Sequence, residues 1–528
     1  MASKKSVIVA IRVDSGSQMG SGHLMRCLSL AGELTRSGAR VTFICRELPG
    51  HLCRYLEREG HTVVRLREPE REISSDAEPS GWLQVPEHED GEETAEALRR
   101  VGARVLVVDH YGIGSEWERL QRPWVERIVV IDDQADRKHC CDVLVDPNYF
   151  GKQTNHRYDG LVPANCRMLL GPRYALLQRE YRYFHSAMIP RTEAPRRVLI
   201  FFGGSDSTDE TSKALRALST TGLAHLAVDV VLGPNYPSPA NVTELVARRP
   251  GTTLHTNLPS LAGLMFRADL AIGAGGVTTS ERLCMGLPSI VITVAANQEG
   301  PVASLSEDCA VIWAGSSSTV SVYHLAGIIE AFLRTPSSPP DWVDGRGASR
   351  VAAMIIPPLH EQLVLRRATV ADARLIFEWR NEPTAREMSF DSAEIHWEAH
   401  LRWFESKLRD NDVLLFIGDI DDLPVAQVRI EFRNSEAHLS YGVDADFRGL
   451  CIGASLVERV VKFVGRMPVG GYVARVKIAN EGSRKIFNRL GWRETIHGSE
   501  LEFRLERAKS HTEAGVIAPV VGKSVPVK

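Results

Sequence analysis

Residues 6–34 read SVIVAIRVDSGSQMGSGHLMRCLSLAGEL, and their order decides the fold of the first part of the chain. A β-branched run, Ser6–Val13, stops at Asp14. Gly16, Gly20 and Gly22 follow, and then Leu24, Leu28, Ala31 and Leu34 recur at helical spacing. A strand, a glycine turn and a helix form the repeating unit of a parallel α/β sheet. Apolar runs at Arg40–Cys45, Thr62–Leu66, Arg104–Asp109, Arg127–Asp132 and Val143–Val145 continue the pattern, separated by amphipathic stretches. After HSAMIPRTEAPRR (185–197), read as a hinge, a second series follows: Arg197–Phe202, Val228–Leu232, Thr253–His255, Asp269–Ile272, Ser289–Thr293 and Ala310–Ala314. The fold class expected is α/β, with two doubly wound, Rossmann-like lobes. Their cleft should be lined by loops at the carboxyl ends of the strands.

TPSSPPDW (335–342) precedes a helical pattern near Ala348–Met354, and IIPPLHEQ (355–362) leads into a third, smaller α/β unit. Its strands are expected at Leu363–Arg367, Val413–Gly418, Val425–Phe432, His438–Val443, Gly471–Ile478 and Leu501–Leu505. Its helices are expected at Ala371–Glu378, His396–Leu408, Cys451–Val464 and Gly482–Arg489. The predicted divisions are a lobe at 1–190, a lobe at 191–355, a third unit at 356–507 and a disordered tail at 508–528. Between Arg67 and Glu93 the composition turns acidic and polar, which reads as a mobile surface segment without a catalytic role.

A chain of 528 residues exceeds one hydrophobic core. A formal charge of -3 offers no basic excess to draw nucleic acid or an anionic membrane. The first apolar run is one strand long, too short for a signal peptide or a membrane span. Nine cysteines without a CxxC pair read as reduced thiols of the cytoplasm, with no disulfide framework or zinc site. The adjacent Cys140 and Cys141 read as buried strand-edge thiols, with a reactive pair as the other reading.

Glycines in the first βα turn, Gly20 and Gly22 among them, let backbone approach a ligand and free helix amides for an anion. His23 follows at the helix start. The dipole disfavours positive charge there, so an imidazole stays neutral and able to accept a proton. Capping or packing the helix is the other reading of His23, and spacing does not choose between them. VVDHYG (107–112) ends a strand with Asp109, His110 and Tyr111, and IDDQAD (131–136) repeats the placement; either aspartate can also cap the next turn. In the second lobe FFGGSDSTDE (201–210) sets Gly204 and Ser205 at a strand-to-helix turn suited to phosphate. IGAGGVTTSERLCMGLPSIVI (272–292) supplies Gly275, Gly276, Thr278 and Thr279 at another, with Glu281 in the helix's first turn. A carboxylate there can accept both hydroxyls of a ribose, or cap the helix. Asn297 and Gln298 complete the candidate substrate-binding set. In the third unit YGVDADFRGLCIGASLVERVV (441–461) runs from a strand into a helix through an R-G-x-x-I-G-A segment, which offers backbone N–H groups to a pyrophosphate. The candidate cofactor-binding residues are Val443, Arg448, Gly449, Ile452, Gly453 and Ala454, with Asn480 and Arg484 from NEGSRKIFNRLGW (480–492).

These motifs carry two resemblances. IRVDSGSQMGSGHLMRCLSLA, VVDHYG, LVPANCRMLLGPRYALLQREY, FFGGSDSTDET and GAGGVTTSERLCMGLPSIVI make residues 1–355 resemble the UDP-sugar hydrolases of the pseudaminic acid pathway, which have the two-lobed GT-B fold. The resemblance implies cleavage of UDP-2,4-diacetamido-2,4,6-trideoxy-β-L-altropyranose into UDP and free sugar. His23 is then the base that activates water, with Asp109 and Tyr111 in the catalytic set and Tyr111 near the sugar. Gly273–Glu281 also resembles the nucleotide-binding motif of MurG-type glycosyltransferases, which implies Glu281 on the ribose.

Residues 362–507 resemble the GNAT acetyltransferases. LRRATVADARLIFEWRNEPTAREMSF (365–390) is similar to the opening of the same pathway's acetyltransferase, which uses acetyl-CoA on the 4-amino UDP-sugar. Phe487 departs from the family, which carries Tyr there to protonate the leaving thiolate; CoA then leaves with help from solvent or another donor, for which Tyr441 and Glu431 are the alternatives, or the domain is weak or inactive. The mechanism implied for the hydrolase is inverting C–O cleavage, with no metal. The partners implied are a UDP-sugar and acetyl-CoA, with neither nucleic acid nor membrane. Two rivals stay open: a GT-B glycosyltransferase with another acceptor, and a sugar-nucleotide-binding scaffold whose third unit is inactive or acetylates protein N-termini.

Overall fold

The computed structural model describes residues 6–506 except 18, 70–78, 190, 192–193, 221, 234, 257 and 357–358. The expected disordered tail and the middle of the acidic segment lie outside the described residues. The chain divides into two compact units, before and after the 357/358 boundary.

The first unit holds two parallel sheets. One orders its strands β3-β2-β1-β4-β5-β6-β7, namely β1 (Ile8–Val13), β2 (Arg40–Arg46), β3 (Thr62–Leu66), β4 (Val105–Asp109), β5 (Arg127–Ile131), β6 (Val143–Asp146) and β7 (Arg167–Leu170). The other runs β10-β9-β8-β11-β12-β13, from β8 (Arg197–Phe201), β9 (Ala227–Leu232), β10 (Thr252–Thr256), β11 (Leu270–Ala274), β12 (Ser289–Thr293) and β13 (Ile312–Ser316). Every pairing in both sheets is parallel. Strands buried on both faces explain the near-continuous apolar runs read in the sequence. Strand order reverses between β1 and β4 in one lobe and between β8 and β11 in the other. Crevices open outside the carboxyl ends of strands at such switch points. Four of the five glycine and aspartate motifs of the first 355 residues lie at the ends of these four strands and the fifth, IDDQAD, follows β5; both lobes are Rossmann-like and together form a GT-B arrangement. Helix 347–355 returns to the first lobe: Arg127 donates to the Met354 carbonyl at 2.7 Å and Ser349 to Glu33 at 2.9 Å.

One expectation is overturned. The acidic segment is in part ordered and packed: helix Glu87–Val101 starts inside it, and Asp90 is fully buried. Asp90 accepts from Arg12 at 2.6 Å, Arg46 at 2.7 Å and the Trp117 indole at 3.0 Å. Arg12 and Arg46 lie buried on β1 and β2, and an unpaired charge there would cost several kcal/mol, roughly. The acidic run supplies their counter-charge, which a reading of composition alone cannot detect.

The second unit is one mixed sheet ordered β14-β15-β16-β17-β18-β20-β19, from β14 (Val364–Arg367), β15 (Val413–Ile420), β16 (Leu423–Arg433), β17 (Glu436–Val443), β18 (Gly471–Lys477), β19 (Arg493–His497) and β20 (Glu500–Glu506). Only β17 and β18 pair in parallel, joined through helix Ile452–Val464, and their pairing ends at Leu439↔Ala474. Beyond that register the strands part and leave an opening in the sheet.

Candidate functional sites

In the first unit the loop after β1 folds on itself. Gly16 and Gly20 exchange backbone hydrogen bonds, and Gly20 sits at φ +76°, where a side chain would be strained. Helix Gly22–Arg36 starts directly after, and Ser21 at its N-cap makes no side-chain cap. His23 does not cap either. Its Nδ1 lies 2.6 Å from Asp109 Oδ1 at the end of β4. Arg26, one turn further along the helix, grips the same carboxylate through Nε at 2.6 Å and Nη2 at 2.7 Å. Burial alone would raise the Asp109 carboxyl, but Arg26 and His23 hold it well below the usual range. A carboxylate accepts only, so Nδ1 carries the proton and Nε2 is the nitrogen able to receive one.

The Tyr111 ring meets His23 edge-on at 4.5 Å and stacks on Trp82 at 5.4 Å. Burial and the nearby Asp133 charge push its phenol up, so it stays protonated, and Asp133 accepts from Arg26 at 2.9 Å. Behind the site His110 accepts from the Gly112 amide at 2.9 Å and is pushed down to about 4 by burial, hence neutral.

Loops of the two lobes face each other here. A Cβ at Gly22 would meet the Val277 methyl at 3.7 Å, and one at Gly204 the Ser21 hydroxyl at 3.8 Å. Ser205 is exposed beside Gly204, while Asp206 accepts from the Glu210 and Thr211 amides, each at 2.9 Å, at the start of helix Glu210–Leu218, whose N-cap is Asp209. Around β11 several predicted ligand groups have other partners. The Gln298 amide oxygen accepts from Gly275 N–H at 3.2 Å and Val294 N–H at 3.1 Å, which engages the Gly275 amide expected to face a diphosphate. Thr279 is buried, and its hydroxyl accepts from Arg282 at 2.9 Å. Gly276, Thr278 and Asn297 line the same turns, with Gly276 and Asn297 exposed. Glu281 faces Tyr181 of helix Arg179–Ser186, and its Oε2 is buried without a hydrogen-bond partner. Burial raises this carboxyl to about 7.

In the second unit a cavity of roughly 1080 Å³ opens where β17 and β18 part. Val443, Arg448, Gly449, Ile452, Gly453, Ala454 and Asn480 line it. Gly449 at φ +80° and Cys451 at φ +62° turn the chain into the helix, whose first N–H groups have no intrahelical acceptor. Asn480 also caps helix Glu481–Arg489 by accepting from Ser483 N–H at 3.0 Å. Arg484 does not line the cavity: it pairs with Glu494 at 2.7 Å on the outer face. The Arg448 guanidinium is held by Glu382 at 2.6 Å and the Val443 carbonyl at 3.2 Å, leaving backbone rather than side chain for an anion.

Reading by sequence missed Trp82 and Arg26, whereas Asp133 lies in the IDDQAD motif already read as a strand-end candidate. Arg26 was findable, because i, i+3 places it on the His23 face. Trp82 lies in the segment dismissed on composition. Among the described residues no group of three or more His, Cys, Asp or Glu is placed to hold a metal ion, and no helix is long and apolar enough to cross a membrane. All nine cysteines are free; Cys141 is buried, with its Sγ 3.6 Å from that of Cys166, and Cys140 is half-buried.

Residues 362–493 match the family Acetyltransferase (GNAT) domain. The second unit is thus a GNAT acetyltransferase domain, and its co-substrate is acetyl-CoA. The chain as a whole is 23% identical to an uncharacterized protein of Methanocaldococcus jannaschii over 521 residues, 94% of this chain and 99% of that one. The first unit is homologous to two further proteins. UDP-2,4-diacetamido-2,4,6-trideoxy-beta-L-altropyranose hydrolase of Campylobacter jejuni is 24% identical over 57% of this chain and 96% of its own length. Spore coat polysaccharide biosynthesis protein SpsG of Bacillus subtilis is 23% identical over 67% and 99%. Among solved structures, MurG of Acinetobacter baumannii aligns with 66% of this chain and 99% of its own at 13% identity and TM-score 0.43.

Proposed function

We propose that the chain is a bifunctional nucleotide-sugar enzyme of pseudaminic acid biosynthesis, working in the cytoplasm. Its first unit, with lobes at 1–190 and 191–355, hydrolyses UDP-2,4-diacetamido-2,4,6-trideoxy-β-L-altropyranose to UDP and free sugar. Its acetyltransferase domain, at 356–507, supplies that substrate by acetylating the 4-amino UDP-sugar. The observation that carries the reading is the 2.6 Å pair of His23 Nδ1 and Asp109 Oδ1 at the cleft loop. The 24% identity to the Campylobacter jejuni hydrolase supports the choice of substrate.

In this reading Nε2 of His23 takes a proton from water as the oxygen attacks the anomeric carbon opposite the departing UDP, and configuration inverts. Asp109 fixes the tautomer and stabilises the imidazolium that forms, and Arg26 fixes Asp109. UDP is a good leaving group, so the protein supplies diphosphate stabilisation and an oriented water rather than a strong acid. Glu281, with Oε2 unpartnered, accepts the ribose hydroxyls. Hydrolysis in ¹⁸O-labelled water tests the route: label in the free sugar is expected, and label in UDP refutes attack at carbon. Incubating the chain with the 4-amino UDP-sugar, with and without acetyl-CoA, tests the pairing of the two activities. A second reading, a glycosyltransferase with an acceptor other than water, is favoured by the match to SpsG over 67% of this chain. Free sugar formed with no acceptor present rejects it.

A further inference from the structure

We propose that Tyr441 donates the proton to the departing thiolate in the acetyltransferase domain, with Ser483 positioning its hydroxyl. The inference rests on acetyl transfer from acetyl-CoA and is independent of which amine is the natural acceptor.

Collapse of the tetrahedral adduct of an amine and a thioester expels a basic thiolate, and a nearby acid lowers the barrier. Phe487 has no proton to give, and it is core: it is 1% exposed, stacks on Phe503 at 5.0 Å and meets Trp492 at 4.9 Å. Glu431 is unsuited, because Arg429, Lys407 and Arg433 surround its carboxylate and hold it low and ionised, and it does not line the cavity. Tyr441 does line it. It stands on β17 two residues beyond Leu439, the last residue paired to β18, and so on the flank of the opening. Its ring lies against the anion-binding turn, since a Cβ at Gly453 would meet Tyr441 Cε2 at 3.3 Å. The same cavity continues to Trp379, Phe390 and Trp403 on the far side. A co-substrate with its pyrophosphate on the 449–454 amides must extend past Tyr441 to present its acyl group there.

The Tyr441 hydroxyl donates to Ser483 Oγ at 2.9 Å, and the Ser483 amide is fixed by Asn480. Burial raises the phenol, so it is protonated at neutral pH. In the step proposed, the amine nitrogen bonds the acetyl carbon and loses a proton to solvent. The C–S bond then breaks with its electron pair on sulfur, and the Tyr441 O–H passes its proton to that sulfur. Solvent reprotonates the phenolate through Ser483.

The test uses the full chain, acetyl-CoA and hydroxylamine, a nucleophile that needs no acceptor site, with hydroxamate formation as the readout. Tyr441→Phe should lower turnover about 10²-fold or more, and Ser483→Ala about tenfold, with the Kd for CoA by calorimetry within about threefold of wild type. The acetyl selenoester of CoA, whose selenolate leaves without a proton, should erase most of both deficits. A deficit under threefold, one that the selenoester leaves unchanged, or a wild type that does not accelerate hydroxylamine acetylation each overturns the proposal. Turnover with hydroxylamine but none with the 4-amino UDP-sugar overturns only the acceptor named above.

Discussion

Replacing Asp109 with Asn tests the proposed hydrolase site most directly, because it keeps shape and removes one charge. In the native site one carboxylate oxygen accepts from His23 Nδ1 at 2.6 Å and from Arg26 Nη2 at 2.7 Å, and the other accepts from Arg26 Nε at 2.6 Å. An amide has one acceptor oxygen. If it faces Arg26, the amide N–H₂ faces Nδ1 and forces the proton onto Nε2, which can no longer accept from water. If it faces His23, the imidazolium formed during attack lacks its counter-charge and an N–H₂ group confronts a guanidinium. The base is lost in the first case and weakened in the second, at about 10²–10⁴-fold in kcat, or about 2.7–5.5 kcal/mol of barrier. Breaking a buried pair destabilises by about 3–5 kcal/mol. Arg26 keeps Asp133 at 2.9 Å, which puts the expected loss near the lower figure. The assay is UDP release from the diacetamido UDP-sugar, with kcat and KM separated and the melting temperature recorded. His23→Ala should match the variant in kcat, and the double variant should be no slower than either, because the pair acts as one unit. An Asp109→Asn enzyme within threefold of wild-type kcat refutes the dyad.

His139 lies between Glu118 at 2.6 Å and Asp132 at 3.9 Å, and although burial opposes it these carboxylates raise it to about 9. A folded-state value above the unfolded one stabilises fully below about pH 6.5 and fades as pH rises through about 9, by about 3 kcal/mol in all. Melting temperature should therefore fall from pH 7 to 10, and His139→Gln should flatten the curve; a parallel fall in the variant contradicts this. If Glu281 accepts the ribose hydroxyls as proposed, its carboxyl, raised to about 7 by burial, does so best when ionised, so UDP affinity should weaken as pH drops from 8 to 6. Glu281→Gln should raise the Kd for UDP about tenfold, about 1.4 kcal/mol, and abolish that pH dependence; calorimetry that finds it intact removes the residue from the ribose site.

Much of this protein is legible in one dimension. The alternation of apolar strand and amphipathic helix is local, so residues 6–34 already contain the strand, the turn and the helix that the structure shows, to within two residues at each end. The R-G-x-x-I-G-A turn is local too, because free amides at a helix start follow from the helix itself. The strands missed, β7 and β19, are four and five residues long and carry little periodicity. What the sequence left open about His23 was partnership across 86 positions: whether Asp109 would cap its own turn or reach the helix after β1. Parallel pairing of β1 with β4 answers that, by setting Val13 beside Asp109. The same long-range packing put Asp90 and Trp82 of an unpromising acidic stretch beneath and beside the site, and took the Gly275 amide and Thr279 hydroxyl away from any ligand. Residue types and local spacing fixed the elements and their turns. Which buried charge meets which partner depends on sheet order, and only the tertiary structure contains that.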